Sequence, residues 1–121
     1  MPEAPRRRPE DHAILRSFRS HLRARPAVVF EALHARLRPI QDPGFLYKAD
    51  PAAFFIIAQS RWWYRGEYRV VPDETGSNVE YVIVNVAQRA RSLSRVPARA
   101  LLASAPTEFE RLIGRVRREV E

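Results

Sequence analysis

The side chains in this chain that could do chemistry are tyrosines, histidines and arginines. Tyr64 and Tyr68 alternate with Trp62 along WWYRGEYRV, and Tyr81 stands in the next apolar run. Phenol hydroxyls and an indole N–H can hydrogen-bond a ligand while their rings pack as hydrocarbon. Acid–base catalysis needs a titratable group inside a cavity, and the three histidines offer little toward one. His12 adjoins the N-terminal segment, His21 falls on a polar parity, and His34 stands beside an apolar stripe rather than in it. No two have metal-ligand spacing, so structural or exposed roles suit them better. Glu67 alternates with Arg65 and Arg69, a pattern that fits cross-strand ion pairing on a wet face. The chain has no cysteine, which removes disulfide frameworks, thiolate zinc sites and thiol nucleophiles. Four scattered glycines build no phosphate loop, and no serine lies in a nucleophile elbow. These residues assign no catalytic group, metal or cofactor.

The second chemical feature is charge. The formal net charge is +7, and Lys48 is the only lysine among 21 basic residues. Residues 13–25 and 89–105 each carry four arginines and no acid. The densest basic loop is RARSLSRVPAR, in which Arg89, Arg91 and Arg95 are the candidates for binding a phosphate, a carboxylate or an RNA backbone. The competing reading is a solvated loop of spaced arginines. A basic module for RNA or another anionic macromolecule would combine that loop with Arg16, Arg19 and Arg23. Such modules usually interleave aromatic platforms with the basic groove. Here the aromatics stand in strands whose alternation turns them inward, so nucleic acid is the less favoured partner. A protein–protein adaptor anchored by an outward Trp63 is a further alternative.

Several elements must position these groups. Residues 1–11 hold three of the ten prolines and the Arg6-Arg7-Arg8 triplet, and read as a disordered tail. Residues 12–25 fit either a helix face (Ile14, Phe18, Leu22) or an imperfect strand. Pro26 suits the first turn of a helix whose stripe is Val29, Phe30, Leu33 and Leu37, and Pro39 ends it. Asp42-Pro43-Gly44 is turn chemistry, and Phe45–Tyr47 a short strand. Residues 53–60 and 62–71 read as strands. In the second, Trp62, Tyr64, Gly66, Tyr68 and Val70 face inward, and Trp63, Arg65, Glu67, Arg69 and Val71 face water. A hairpin at 72–77, with Gly76 available for a positive φ, leads into the strand 78–87. There Val79, Tyr81, Ile83 and Asn85 are assigned to the interior. Residues 106–121 read as a helix, with Pro106 in its first turn and a capping box from Thr107 to Glu110. Its stripe is Phe109, Leu112, Ile113, Val116 and Val120, and Gly114 is either a point of close approach or merely tolerated.

At 121 residues, 45% of them hydrophobic, the chain suits one domain with a core of its own. No apolar run reaches the roughly 18 residues of a membrane span. The Arg triplet has no apolar stretch behind it to make a signal segment. A soluble, cytoplasmic protein is expected. Hairpin strands followed by an amphipathic helix indicate α+β.

FRSHLRARPAVVFEAL resembles the opening of the START-like proteins, the SRPBCC or polyketide cyclase/dehydrase superfamily. In that family a first strand runs into a proline-started helix, and the junction here would be Ala24, Pro26, Val29, Phe30 and Leu33. WYRGEYRVVPDETGSNVEYVIV resembles the family's central hairpin, and the last helix its C-terminal helix. The resemblance spans roughly residues 13–121 and makes 13–23 a strand. It implies one domain over 12–121 with a helix-grip fold: a curved antiparallel β-sheet wrapped around a long C-terminal helix, here with about five strands where the family usually has seven. A cavity between sheet and helix would take a hydrophobic or amphipathic small molecule, lipid or polyketide-like. The residues assigned to it are Phe54, Ile56, Trp62, Tyr64, Tyr68, Tyr81, Phe109, Ile113 and Val116, which could equally form a solid core. A cyclase/dehydrase-type enzyme is the alternative within the same family.

Overall fold

Strand signals come from clean alternation along 64–70 and from the Phe/Ile- and Val-rich runs at 55–58 and 79–86, and two further segments place apolar residues three and four apart. The computed structural model forms five strands and two helices. They run in the order β1 (Ala13–Leu22), α1 (Pro26–Leu37), β2 (Leu46–Asp50), β3 (Phe55–Gln59), β4 (Tyr64–Asp73), β5 (Gly76–Asn85) and α2 (Arg95–Val120). The structure describes residues 3–9, 12–38, 46–60, 63–86 and 95–121, the last range from residue 99 onward where side chains are concerned.

The sheet is open and antiparallel, with strand order β1-β5-β4-β3-β2. The first strand therefore pairs with the last, and the other four form a meander. Residues 13–22 are a strand, which resolves the ambiguity of that segment, and a register shift explains it. Between Ile14 and Arg16 the pairing with β5 slips by one residue at Leu15. A bulge of this kind reverses side-chain parity. It leaves Ile14 exposed, while Leu15 and Phe18 pack against the core.

One face of the sheet carries the main core. Cross-strand partners Tyr68–Tyr81, Gly66–Ile83 and Val70–Val79 turn together toward the helices, next to Ile56, Ala58 and Tyr47 from β3 and β2. The inward assignment of Val79, Tyr81, Ile83 and Asn85 matches their burial. From α1 come Val29, Phe30, Ala32, Leu33 and Leu37; from α2 come Ala105, Phe109, Ile113 and Val116. Pro26 occupies the first turn of α1, and the helix stops one residue before Arg38-Pro39. Among the described residues no helix is long and apolar enough to cross a membrane.

The structure differs from the sequence reading in three places. First, α2 begins at Arg95, not at Pro106, which lies inside the helix. Pro97 takes the first turn instead, where a missing N–H costs nothing, and the Thr107–Glu110 pair sits mid-helix rather than at a cap. Pro106 deletes one i→i−4 hydrogen bond. Burial of Ala105 and Phe109 on either side of it holds the helix through that break.

Second, Trp63 is buried in the main core, because the chain bends at this position before β4 begins. It is no outward anchor for a partner.

Third, the face expected to be wet is largely covered. Arg65 is 0% and Glu67 7% exposed, whereas Arg69 is exposed. Residues 3–9, expected as an unstructured tail, lie across this outer face as a strap. Ala4 packs with Phe55 and Ile57, and its N–H donates to the Tyr47 carbonyl at 3.3 Å.

Candidate functional site

All four tyrosines of the chain reach the helix-covered face. Strand parity puts Tyr64 and Tyr68 on one side of β4, and antiparallel pairing puts Tyr81 directly opposite Tyr68. The Tyr68 and Tyr81 rings stack with centroids 4.3 Å apart and planes within 6°. Phe18 and Phe109 extend the stack, at 5.7 Å from Tyr81 in both cases and 5.6 Å from each other.

Tyr64 comes from the start of β4, and its ring folds back over Gly66. A Cβ at Gly66 would lie 2.8 Å from Tyr64 Cζ and closer still to the hydroxyl, so only glycine admits this pose. The fold-back brings Tyr64 Oη to 2.6 Å from Tyr81 Oη. Burial, reinforced by the neighbouring tyrosines, raises the pKa of Tyr64 and Tyr68 well above the usual phenol value. Burial likewise raises Tyr81, opposed in part by hydrogen bonds from Tyr64 and Tyr68. These phenols stay protonated at neutral pH and act as hydrogen-bond donors and acceptors rather than bases.

The fourth phenol, Tyr47 on β2, shares a 2.8 Å hydrogen bond with His34 Nδ1 from α1, and burial raises its pKa too. The His34 ring lies between those of Phe30 and Tyr47, at 6.1 and 5.7 Å. This is the structural role expected for that histidine. His12 meets the Pro9 carbonyl, and His21 lies by Asp73 and Thr75. Among the described residues no cluster of histidine and acidic groups could hold a metal ion.

A cleft of about 330 Å³ opens between the middle of the sheet, the C-terminal end of α1 and residues 101–115 of α2. Tyr68, Tyr81 and Phe109 line it on the sheet side, with Leu37, Leu101 and Leu112 flanking them. Arg36, Arg111, Arg115 and Glu108 stand at its polar margin. Arg36 pairs with Glu119 at 3.1 Å and Arg111 with Glu108 at 3.2 Å, while Arg115 has no carboxylate partner among the described residues.

Of the residues assigned to the ligand from sequence, Tyr68, Tyr81 and Phe109 come together in this cleft. Tyr64 stands behind them through its bond to Tyr81. Ile56, Ile113 and Val116 are fully buried in the packed core. Phe54 packs on Phe30 in the β2–β3 turn, held at φ +50°. Trp62, Arg89 and Arg91 lie outside the described residues, as does the Arg95 side chain. The sequence reading missed Arg36, Leu37, Leu101 and Ser104. The available signal was the stripe of α1 together with the apolar pair Leu101-Leu102, which belongs to α2 once the helix is extended back to Arg95. No protein-family model, curated protein or solved structure matches this chain.

Proposed function

We propose that the protein binds a hydrophobic or amphipathic small molecule in the cleft between β4–β5 and the two helices. The observation that carries this reading is the stacked Tyr68–Tyr81 pair with Phe109, lining an opening whose margin holds three arginines. Ligand sites of this kind are concave, mostly apolar, and fitted with a few polar groups that fix orientation. The volume, about 330 Å³, lies at the small end of such sites. The aromatic rings would take the apolar body of the ligand. Arg115, unpaired among the described residues, would take an anionic or strongly polar end.

The strand order and the helix pair on one face are compatible with a reduced helix-grip fold, and this supports the START-like reading. The short sheet accounts for a cleft at the margin of the core in place of a large internal cavity. A cyclase or dehydrase activity would act through titratable groups of the cleft, where the Tyr68 and Tyr81 phenols are held protonated and the Glu108 carboxylate is paired with Arg111. Binding is therefore the better-supported reading.

The test is native mass spectrometry of the purified protein, with displacement of an environment-sensitive apolar fluorophore as a second measure. A co-purifying small molecule, and loss of fluorophore binding in Ser104→Trp, are expected. Ser104 is exposed and lines the cleft, so an indole there fills the opening without disturbing the core. A ligand-free protein whose fluorophore binding is unchanged by Ser104→Trp would overturn the proposal.

A further inference from the structure

The outer face of the sheet holds a second concave site, unrelated to the cleft. Its foundation is a buried ion network. The Arg65 guanidinium donates to Glu67 Oε2 at 2.7 Å, Gln59 Oε1 at 2.9 Å, and the carbonyls of Pro5 and Arg6 at 2.6 and 2.8 Å. Arg8 closes on the same Glu67 carboxylate with Nε and Nη2, at 2.9 and 2.7 Å. A buried charge is tolerated only when its hydrogen bonds are satisfied. Arg65 thus fastens the strap by its backbone, and the strap's three consecutive arginine side chains are left to be placed around it.

Arg6, Arg7, Arg8 and Arg69, with Phe55 and Glu67, line a recess of about 410 Å³. Four guanidiniums line it, with the buried Arg65 beneath, against the carboxylate of Glu67 and the neighbouring Asp50, which pairs with Arg6 at 2.5 Å. Arg7 and Arg69 have no carboxylate partner among the described residues. The Arg69 guanidinium lies 4.2 Å above the centre of the Phe55 ring. Stacking uses the face of a guanidinium and leaves its in-plane N–H donors free for an anion.

We propose that this recess binds a diphosphate-class anion, with Arg7 and Arg69 as the two primary contacts and Arg6 and Arg8 contributing from their existing pairs. Arginine forks match phosphate oxygens two at a time. An opening of this size, with uncommitted guanidiniums on both the strap and β4, suits two linked anionic groups better than one. Occupancy would tie the strap more firmly to the sheet.

The experiment is calorimetric titration of the full chain with inorganic pyrophosphate and, separately, with ADP, at low and moderate salt. One saturable site is expected, weakening as salt rises. Loss of affinity by about tenfold or more is expected in Arg7→Gln and in Arg69→Gln, as for removal of a charge-assisted hydrogen bond. Arg118→Gln, an exposed arginine on α2, should bind within about twofold of the parent. Binding of both ligands supports a diphosphate carried by a nucleotide, and binding of pyrophosphate alone supports a free diphosphate. Pyrophosphate should also slow trypsin cleavage after Arg6 and Arg7; Arg7→Gln, altered in the exposed strap, keeps the test valid should Arg69→Gln destabilise the sheet. Unchanged affinity in both variants, an equal loss in Arg118→Gln, or binding of a single-stranded oligonucleotide but of neither diphosphate would overturn the proposal.

Discussion

Tyr64 and Tyr81 meet hydroxyl to hydroxyl at 2.6 Å, and they do so because residue 66 has no side chain. β4 and β5 pair Tyr64 with Asn85, not with Tyr81. The contact requires the Tyr64 ring to lie along its own strand, over Gly66, until its hydroxyl reaches that of Tyr81.

Gly66→Ala should therefore expel the Tyr64 phenol and cost about 1–3 kcal/mol, the usual range for overpacking a filled site. Urea denaturation measures the loss. The cause is separable by a double-mutant cycle. In a Tyr64→Ala background the same Gly66→Ala change should cost far less. An equal cost in both backgrounds would place the strain somewhere other than Tyr64.

Every tyrosine has its pKa raised, mainly by burial. The folded state thus holds phenol protons more tightly than the unfolded chain does. Stability from this source is fully present below the unfolded phenol value of about 10 and is lost as pH rises through and beyond it. Ultraviolet difference spectra should show no phenolate in the native protein near pH 10. Above that, phenolate absorbance should rise together with loss of ellipticity, in one transition. A tyrosine titrating near pH 10 with the fold intact would contradict this burial.

Glu67 behaves in the opposite sense. Burial alone would raise its pKa, but hydrogen bonds and charge from Arg8 and Arg65 prevail and hold it below the ordinary carboxylate value. Its contribution is present above the unfolded value of about 4.3 and disappears as pH falls through the lower folded value. Glu67→Gln leaves the buried Arg65 without its counter-charge and should cost about 3–5 kcal/mol at neutral pH. The gap between parent and variant should begin to narrow as pH falls below about 4.3 and close only below the lower folded value. A gap that persists undiminished at pH 3 would show that the ion network is not its source.

Two other glycines should respond with opposite signs. A Cβ at Gly114 meets nothing nearer than Arg118 Nη1 at 4.0 Å, so Gly114→Ala should stabilise α2 by about 1 kcal/mol through helix propensity. No strand approaches Gly114 closely; the nearest atom is the flexible end of Arg118. Gly76 has φ +145°, and its Cβ would meet the backbone of Leu22, Arg23 and Ala24. Gly76→Ala should cost about 1–3 kcal/mol or more, from a conformation that L residues rarely adopt. Thermal unfolding of the two variants gives both signs in one experiment.

Much of the architecture was legible because it depends on short-range patterns. Alternation along 64–70 set which tyrosines face the helices, the Val29–Leu37 stripe set the buried side of α1, and the 72–77 segment announced its hairpin. The start of α2 was hidden by Pro106, whose cost to a helix is real but smaller than the burial that Ala105 and Phe109 gain across it. Trp63 broke its strand's parity because the chain bends there before β4 begins, and parity rules hold only within a continuous strand.

The sequence by itself determined an α+β chain with hairpin strands, a proline-started helix and a C-terminal helix, and set Tyr64, Tyr68 and Tyr81 on the inward face, because side-chain direction follows from local backbone period. Only the tertiary structure decided that Arg36 and Leu37 meet Leu101 and Ser104 around one cleft, and that residues 3–9 cover Arg65 and Glu67. Those relationships join segments some 60 residues apart, and they are set by which buried charges and apolar faces must find partners, which no local pattern encodes.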